Sequence, residues 1–181
     1  MRRRFSFVSV LPFALALAFA APAAAQQFDA GMLYAGPRVW VGNLNGTIAF
    51  GGQLERGFTK PGDVGPGIIA AGAGIDFYRW SSDLTVGRYS YSVVPIQVFG
   101  NYHFLIEANR RFDPYVGLAL VYQVVSASWD GPGTGGTTSS GSGAVFAGQA
   151  GLRYFMSPRF AFQGQVGFGY GTLGLGATMR L

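Results

Sequence analysis

The stretch FAFQGQVGFGY, residues 160–170, alternates large apolar side chains with small or polar ones. Gln163 and Gln165 share one parity with the alanine and two of the three glycines. The other parity carries Phe160, Phe162, Val166, Phe168 and Tyr170. Because successive side chains of a strand point to opposite faces, the segment is predicted to be an amphipathic strand. Its apolar face must contact either a protein core or lipid, and the composition and patterning of the rest of the sequence distinguish the two.

The first 25 residues have the three-part pattern of a secretory signal peptide. Three arginines at 2–4 precede an apolar run at 8–20, and three alanines at 23–25 form a cleavage pattern. A membrane anchor is the alternative, but the run is short for one and prolines interrupt it. We expect Sec export and cleavage before Gln26, so that residues 26–181 form a single domain of 181 − 25 = 156 residues.

The composition favours a membrane barrel over an ordinary secreted domain. Charged residues are 12% of the chain, aromatic residues are 15%, and there is no cysteine to staple a small domain. After the leader no stretch is apolar enough for a membrane helix, and closed barrels are the other structures that satisfy their backbone in lipid. Without its three leader arginines the chain has 13 − 3 = 10 basic and 8 acidic residues. They show no basic cluster, so nucleic-acid binding has little support.

Eight segments alternate with period two and are separated by turn residues, as in membrane barrels. They span residues 31–42, 47–56, 67–80, 89–104, 114–128, 144–155, 159–170 and 172–181. We predict an all-β, eight-stranded antiparallel up-and-down transmembrane barrel in the bacterial outer membrane. An even number of strands places both chain ends on the periplasmic side. Residues 81–88 and the Gly/Ser/Thr-rich stretch 130–143 are then outer loops, with an interdomain linker as the alternative for 130–143.

The parity opposite the apolar one gathers most of the polar and charged side chains. Those expected in the lumen are Arg38, Glu55, Asp76, Gln97, Asn101, Arg153, Gln163, Gln165 and Arg180. Eight strands enclose a space just wide enough for side chains to fill, and buried charges need partners. We therefore hypothesise that Glu55 and Asp76 pair with arginines of this set and plug the barrel. A solute channel lined by the same residues is the alternative.

Aromatic residues cluster near the ends of the predicted strands. They are Trp40, Trp80, Tyr102, Phe104, Tyr154, Phe160 and Tyr170. Membrane barrels carry aromatic girdles at both interfaces with water, so we expect these side chains to form such girdles. Ordinary core aromatics are the alternative, although they would lie nearer the middle of each strand.

Three stretches resemble a known family: PYVGLALVYQ (114–123), AGQAGLRYFMSPRFAFQGQVGFGYG (147–171) and LGLGATMRL (173–181). They are similar to the small outer-membrane β-barrels that include the opacity proteins and the OmpA/OmpX-like barrels. The resemblance covers the chain after the leader and implies insertion into outer-membrane lipid by the barrel assembly machinery. It also implies roles in envelope structure, adhesion or small-solute passage. Gly176, Met179 and Leu181 fit the family's insertion signal, although Leu181 stands where an aromatic residue is usual.

Sequence motifs for catalysis or cofactor binding receive little support. Residues 169–174 match G-x-G-x-x-G, but a dinucleotide fingerprint must open a helix and this one lies in a strand pattern. His103, the single histidine, precedes Phe104 and Leu105, so it lacks the His-x-Ser arrangement of the lipid A deacylases that this barrel resembles. We expect no cofactor, no metal and no enzymatic activity.

The function expected from the sequence is therefore a structural or surface role for a monomeric barrel with a filled lumen. One alternative is a narrow OmpW-like channel for small or hydrophobic solutes. A second is a soluble periplasmic lipocalin-like carrier, which needs the apolar parity inside and the Gln/Arg parity in water. The sequence indicates no particular extracellular ligand.

Overall fold

A computed structural model describes residues 28–132 and 137–181. The predicted signal peptide and its cleavage site lie outside these residues. The described residues form nine strands: β1 Leu33–Val41, β2 Ile48–Gly57, β3 Asp63–Pro66, β4 Ile68–Leu84, β5 Gly87–His103, β6 Phe112–Asp130, β7 Thr137–Phe155, β8 Phe160–Phe168 and β9 Leu173–Arg180.

Eight of these strands close into one barrel, in the order β1-β2-β4-β5-β6-β7-β8-β9. Each pairs antiparallel with the next, and β1 closes the barrel against β9. The short β3 lies in the connection between β2 and β4 and takes no part in the barrel. The structure thus confirms the predicted eight-stranded antiparallel barrel. Within the described ranges, no helix is long and apolar enough to cross a membrane.

The barrel is polar inside and apolar outside. On β2, Phe50 is 57% exposed on the outer wall, whereas Gln53 is 9% exposed inside. On β5, Val98 is 57% exposed and its neighbour Gln97 is 3% exposed. The strict alternation of the sequence produces this arrangement, because neighbouring side chains of a strand point to opposite faces. The apolar parity of the sequence is therefore the outer wall.

Strands β4 to β7 are longer than the others and extend past the barrel as a projecting sheet. Pairing of β2 with β4 stops at Phe50 and Phe77, and pairing of β7 with β8 stops at Gly148 and Phe168. Beyond those points β4, β5, β6 and β7 pair only with one another, up to Leu84 opposite Gly87 in the β4–β5 hairpin. The sheet projects at the end of the barrel that also holds the β1–β2 turn.

The predicted loops at 81–88 and 130–143 are wrong for most of their length. Residues 81–84 and 87–88 belong to β4 and β5, and residues 137–143 belong to β7. The serine- and glycine-rich composition suggested loops, but neighbouring strands on the projecting sheet supply backbone partners in register. At the tip Asp83 accepts a hydrogen bond from Arg88, and this contact raises the pKa of the Arg88 guanidinium.

The β1–β2 turn depends on residues that tolerate left-handed backbone. Asn43 and Asn45 have φ of 54° and 53°, and glycines 42 and 46 have φ of 78° and 77°. Asparagine and glycine adopt this conformation at low cost, which explains the sequence GNLNG. Between them Leu44 is only 1% exposed, so the turn folds its apolar side chain back over the lumen.

Two apolar layers lie inside the barrel. The mouth layer, at the end of the projecting sheet, consists of Trp40, Leu44, Ala49, Tyr78, Val93, Phe99, Ala119, Val121, Ala147 and Tyr170. The base layer, at the end where β1 starts and β9 ends, consists of Phe28, Tyr34, Ile68, Ala70, Phe155 and Ala161. Polar side chains fill the middle of the lumen and reach into the base layer.

Candidate functional site

The polar lumen contains two clusters, of which the first forms around Arg38 on β1. Its guanidinium makes two hydrogen bonds to Asp76 on β4, at 2.9 Å from Nε to Oδ1 and 2.7 Å from Nη2 to Oδ2. Its Nη1 also donates to the Gln53 side-chain oxygen at 3.0 Å. The amide of Gln97 completes the cluster by accepting from Arg38 in the orientation that satisfies both groups. The forked geometry of arginine suits this planar, bidentate contact.

The second cluster forms around Glu55 on β2, which is 1% exposed. Arg153 on β7 donates to one of its carboxylate oxygens. Asn101 donates to the other oxygen at 2.7 Å, and Nε2 of His103 lies 3.1 Å from that same oxygen. Because all these groups are buried, each depends on the others for its hydrogen bonds.

His103 joins the second cluster to a third carboxylate. Its Nδ1 lies 2.8 Å from Asp113 Oδ1, so both ring nitrogens face carboxylate oxygens. Ionised carboxylates can only accept hydrogen bonds, and both nitrogens donate when the ring is an imidazolium. In that form three buried cations, Arg38, Arg153 and His103, balance the three buried carboxylates of Glu55, Asp76 and Asp113.

Gln163 on β8 links the two clusters. Its side-chain oxygen accepts from Gln53 Nε2 at 3.0 Å and from Arg153 Nε at 3.3 Å. The network therefore runs without interruption from Asp76 to Asp113 and ties together strands from most of the circumference. Such a network holds the barrel wall in one shape only if its members remain satisfied.

Aromatic rings close the lower side of the Glu55 cluster. Phe28, just before β1, stacks on His103 with ring centroids 3.8 Å apart and planes 3° apart. The Arg153 guanidinium carbon lies 5.3 Å from the centre of the Phe28 ring and 5.2 Å from that of Tyr115. Tyr115 also donates to Gln165 at 2.6 Å. These contacts combine cation–π attraction with exclusion of water from the buried ion pair.

The structure places eight of the nine predicted lumen residues in the buried interior. Arg180 is the exception, because it is half-buried near the end of β9. The buried ones are Arg38, Glu55, Asp76, Gln97, Asn101, Arg153, Gln163 and Gln165. Arg38 pairs with Asp76 and Arg153 with Glu55, as the plug hypothesis requires.

Four of the polar residues described above were not among the predicted site residues: Gln53, His103, Asp113 and Tyr115. Asp113 and Tyr115 are 0% and 2% exposed. The predicted fifth strand began at residue 114, so Asp113 fell in a turn, although β6 begins at Phe112. The alternation along the strand did indicate an inward position, since Asp113 and Tyr115 share the parity of the inward Ala119 and Val121.

Three of the seven predicted girdle residues do not face outward. Trp40 and Tyr170 are 3% and 4% exposed and pack edge-to-face in the mouth layer. Trp80 packs against the same layer from the inner face of the projecting sheet. Trp40 and Trp80 have the inward parity of their strands. Tyr170 has the parity of the outward Phe168, but it lies beyond the end of β8, where Gly169 with a φ of 82° ends the alternation. The remaining four lie on the outer parity at the base end: Tyr102, Phe104, Tyr154 and Phe160.

The residues of the predicted insertion signal divide between the two faces of β9. Met179 and Leu181 are 52% and 67% exposed on the outer wall. Gly176 faces the lumen, where a Cβ would come within 3.0 Å of the Gln163 amide nitrogen. The same Cβ would lie 2.8 Å from the backbone carbonyl oxygen of Pro37, so the glycine makes room for the β1 backbone as well as for the polar network.

The described residues hold no group of three or more His, Cys, Asp and Glu side chains suited to a metal ion. Glu55, His103 and Asp113 are contiguous, but they meet through opposite nitrogens of one ring and do not converge on a point. Arginine already occupies the carboxylate of Glu55.

Comparison with known proteins supports the architecture. No protein-family model and no curated protein sequence matches the chain. The N-terminal β-barrel domain of Pseudomonas aeruginosa OprF matches with a TM-score of 0.54 and 15% identity, over 86% of this chain and 100% of that one. Ail, the attachment invasion locus protein of Yersinia pestis, matches with a TM-score of 0.51 and 16% identity, over 84% and 99%. This chain therefore has the fold of the small eight-stranded outer-membrane β-barrels.

Proposed function

We propose that this chain is a non-enzymatic, monomeric outer-membrane barrel protein whose lumen is closed by its own side chains. It serves envelope structure or surface interaction rather than transport. The observation that carries the proposal is the inverted burial of the barrel. Apolar side chains such as Val98 and Phe50 lie on the outer wall, while the ion pairs Arg38–Asp76 and Arg153–Glu55 lie inside.

The dimensions of the apolar wall support a membrane location. Along β5 and the residue after it, the outer parity carries apolar or aromatic side chains from Val94 to Phe104, apart from Gly100, and Ser92 and Arg88 follow beyond Val94. This span matches the ~9–11 residues with which a tilted strand crosses a bilayer. At the base end, Tyr102 packs against Phe104 and Phe112 against Tyr154, which supports an aromatic girdle at that interface.

The burial pattern favours the filled lumen over both alternatives. A lipocalin-like carrier needs an apolar interior for its ligand, but the middle of this barrel holds three carboxylates and two arginines. A channel needs an open path, whereas here the polar network lies between the mouth layer and the base layer. Tyr34 and Phe155 of the base layer pack edge-to-face across that end.

Fractionation and electrical recording test the proposal together. The chain, expressed with its leader in a Gram-negative host, is expected in the outer-membrane fraction after an alkaline wash. It should migrate faster on a denaturing gel before boiling than after. In a planar bilayer the purified barrel should show no steady, reproducible conductance. Recovery in the aqueous periplasm would reject the membrane location, and a steady conductance would reject the closed lumen.

A further inference from the structure

The projecting sheet reverses the amphipathicity of the barrel below it. Its outer face is polar, with exposed residues such as Arg79, Asp83 and Ser126 where the barrel wall carries valine and phenylalanine. Its inner face, above the mouth of the barrel, carries four partly exposed aromatic side chains. We name them the aromatic shelf: Trp80 on β4, Tyr89 and Tyr91 on β5, and Trp129 on β6.

The shelf is one continuous row of rings across three strands. Trp80 lies opposite Tyr91 in register, with centroids 4.1 Å and planes 13° apart. Tyr89 lies opposite Trp129 with centroids 4.6 Å apart, and 6.2 Å separates Tyr89 from Tyr91. Cross-strand aromatic pairs of this kind hold each other in place, so the row is fixed before any ligand arrives.

Glycines shape the surroundings of the shelf. A Cβ at Gly87 or Gly131 would come too close to the Trp129 ring for a real side chain, so this ring packs directly against both glycines. On β7, Gly141 and Gly143 lie opposite inward-facing Val125 and Gln123, and a Cβ at either glycine would meet nothing within 4 Å. The inner face of β7 beside the rings therefore has open space above Gly141 and Gly143.

The inner face of the projecting sheet is uncharged on β4, β5 and β6. Around the rings it carries Ser82, Leu84 and Ala127, and the charged Asp83, Arg88 and Asp130 have the opposite parity. Hydrogen-bonding capacity comes from the two tyrosine hydroxyls, the indole N–H groups and the serine. A surface with flat apolar rings, neutral polar groups and no charge complements a neutral ligand that has both an apolar and a hydroxyl-rich side.

We propose that the aromatic shelf binds neutral saccharides. The C–H face of a sugar ring stacks on Trp80 or Trp129, and the sugar hydroxyls exchange hydrogen bonds with Tyr89, Tyr91 and Ser82. Tyrosine and tryptophan suit this task because each presents an apolar ring with a polar edge. The proposal names a ligand class for the surface role proposed above and rests on that role, because the shelf meets external sugars only if it faces outward.

Tryptophan fluorescence tests the proposal on the folded full barrel. The chain has three tryptophans, so a Trp40→Phe variant leaves Trp80 and Trp129 as the reporters. Trp40 lies in the mouth layer and not on the shelf. The detergent should be lauryldimethylamine oxide, because the headgroup of a maltoside is itself a neutral saccharide. The probes are maltohexaose, cellohexaose, chitohexaose and mannohexaose, with a sulfated heparin hexasaccharide as the charged comparison.

At least one neutral hexasaccharide is expected to shift the emission to the blue and halve acrylamide quenching, with saturation, while the sulfated one has no effect. Adding Trp129→Ala or Tyr89→Ala should weaken binding at least tenfold. Tyr122→Ala, which removes an aromatic ring from the outer wall, should leave the affinity unchanged. Heat-modifiable migration checks that each variant is folded.

Three results would overturn the saccharide site: no response to any neutral hexasaccharide, equal binding of the sulfated one, or full affinity in both shelf variants. Each leaves the membrane proposal intact as long as the barrel is heat-modifiable and fractionates with the outer membrane. Failure of that fractionation would instead reject the membrane location itself.

Discussion

Glu55 is the residue on which the lower half of the lumen network converges. Three side chains lie within hydrogen-bonding distance of its two oxygens, and two of them, Arg153 and His103, carry charge in the balanced state described above. A carboxylate in this position offsets the cost of burying both cations. Its loss would leave Arg153 in a low-dielectric interior without its main counter-charge and His103 with Asp113 alone.

Glu55→Gln is therefore expected to destabilise the folded barrel by about 3–5 kcal/mol, because it removes one partner of a buried ion pair without changing the side-chain shape. Urea unfolding of the barrel in lipid vesicles measures the change. Glu107→Gln is the matched control, since Glu107 is exposed. The control should alter stability by less than ~0.5 kcal/mol. Equal stability of the two variants would mean that the buried pair contributes little.

Phe28 offers a second test at the same scale. It is 2% exposed and covers His103, Tyr34 and Arg153. Phe28→Ala is expected to cost about 3–5 kcal/mol through lost packing and to admit water to the Glu55 cluster. Phe58→Ala, at a 65% exposed site, is the control for the loss of a ring. The same unfolding assay applies. If the Phe28 variant is as stable as the control, the packing of Phe28 over the Glu55 cluster does not stabilise the barrel.

Alternation in the sequence was enough to place Arg38, Glu55 and Asp76 inside, because parity and face are the same property in a strand. Their pairing was also anticipated, since buried opposite charges in a narrow barrel must meet. The prediction for Trp40 was wrong because it relied on the position of the residue along its strand and not on its parity. Its position near a strand end suggested a membrane interface, although its parity matched that of Arg38. Parity is the stronger guide, because it is geometric, whereas aromatic residues occur both in girdles and in packed cores.

At the scale of elements, the projecting sheet shows where composition misleads. Residues 81–88 and 137–143 are rich in serine, threonine and glycine, which are common in loops. Apart from the two-residue turn at 85–86, they nevertheless continue β4, β5 and β7, because each backbone pairs with a neighbouring strand. The sequence could not reveal this, since pairing depends on strands that are distant along the chain. One clue was available, because the aromatic residues Trp80, Tyr89 and Tyr91 border the predicted loop on both sides and are common in strands.

Hydrogen exchange distinguishes a sheet from loops in this region. In the projecting part β5 lies between β4 and β6, so the backbone of residues 88–92 has a strand on each side. Amides in this stretch are expected to exchange at least ~100-fold slower than unstructured ones, equivalent to a local opening free energy of ~3 kcal/mol. Amide-resolved exchange by NMR in detergent micelles measures this. Asn45 in the β1–β2 turn is the fast-exchanging reference, and equal rates at the two sites would mean that the hairpins are open loops.

At the scale of the whole molecule, the polar and apolar faces of the long strands exchange sides between the barrel and the projecting sheet. In the barrel the outer wall is apolar and the interior polar; in the projecting sheet the outer face is polar and the inner face aromatic. One continuous strand, β5, carries both patterns, with the reversal between Val94 and Ser92. The membrane proposal accounts for the reversal, because in a membrane the same outer parity would meet hydrocarbon below this level and water above it.

Arginine substitutions on either side of this level test the membrane proposal directly. Val98 is 57% exposed near the middle of the apolar wall, and Ser90 has the same parity on the projecting sheet. In lipid vesicles Val98→Arg is expected to cost about 2–4 kcal/mol, as for arginine near a bilayer midplane, whereas Ser90→Arg should cost less than ~1 kcal/mol. Urea unfolding in vesicles of two acyl-chain lengths measures both. Since the two sites share a strand and a face, a difference between the variants isolates the surrounding medium. If Val98→Arg is tolerated as well as Ser90→Arg, the wall does not contact lipid.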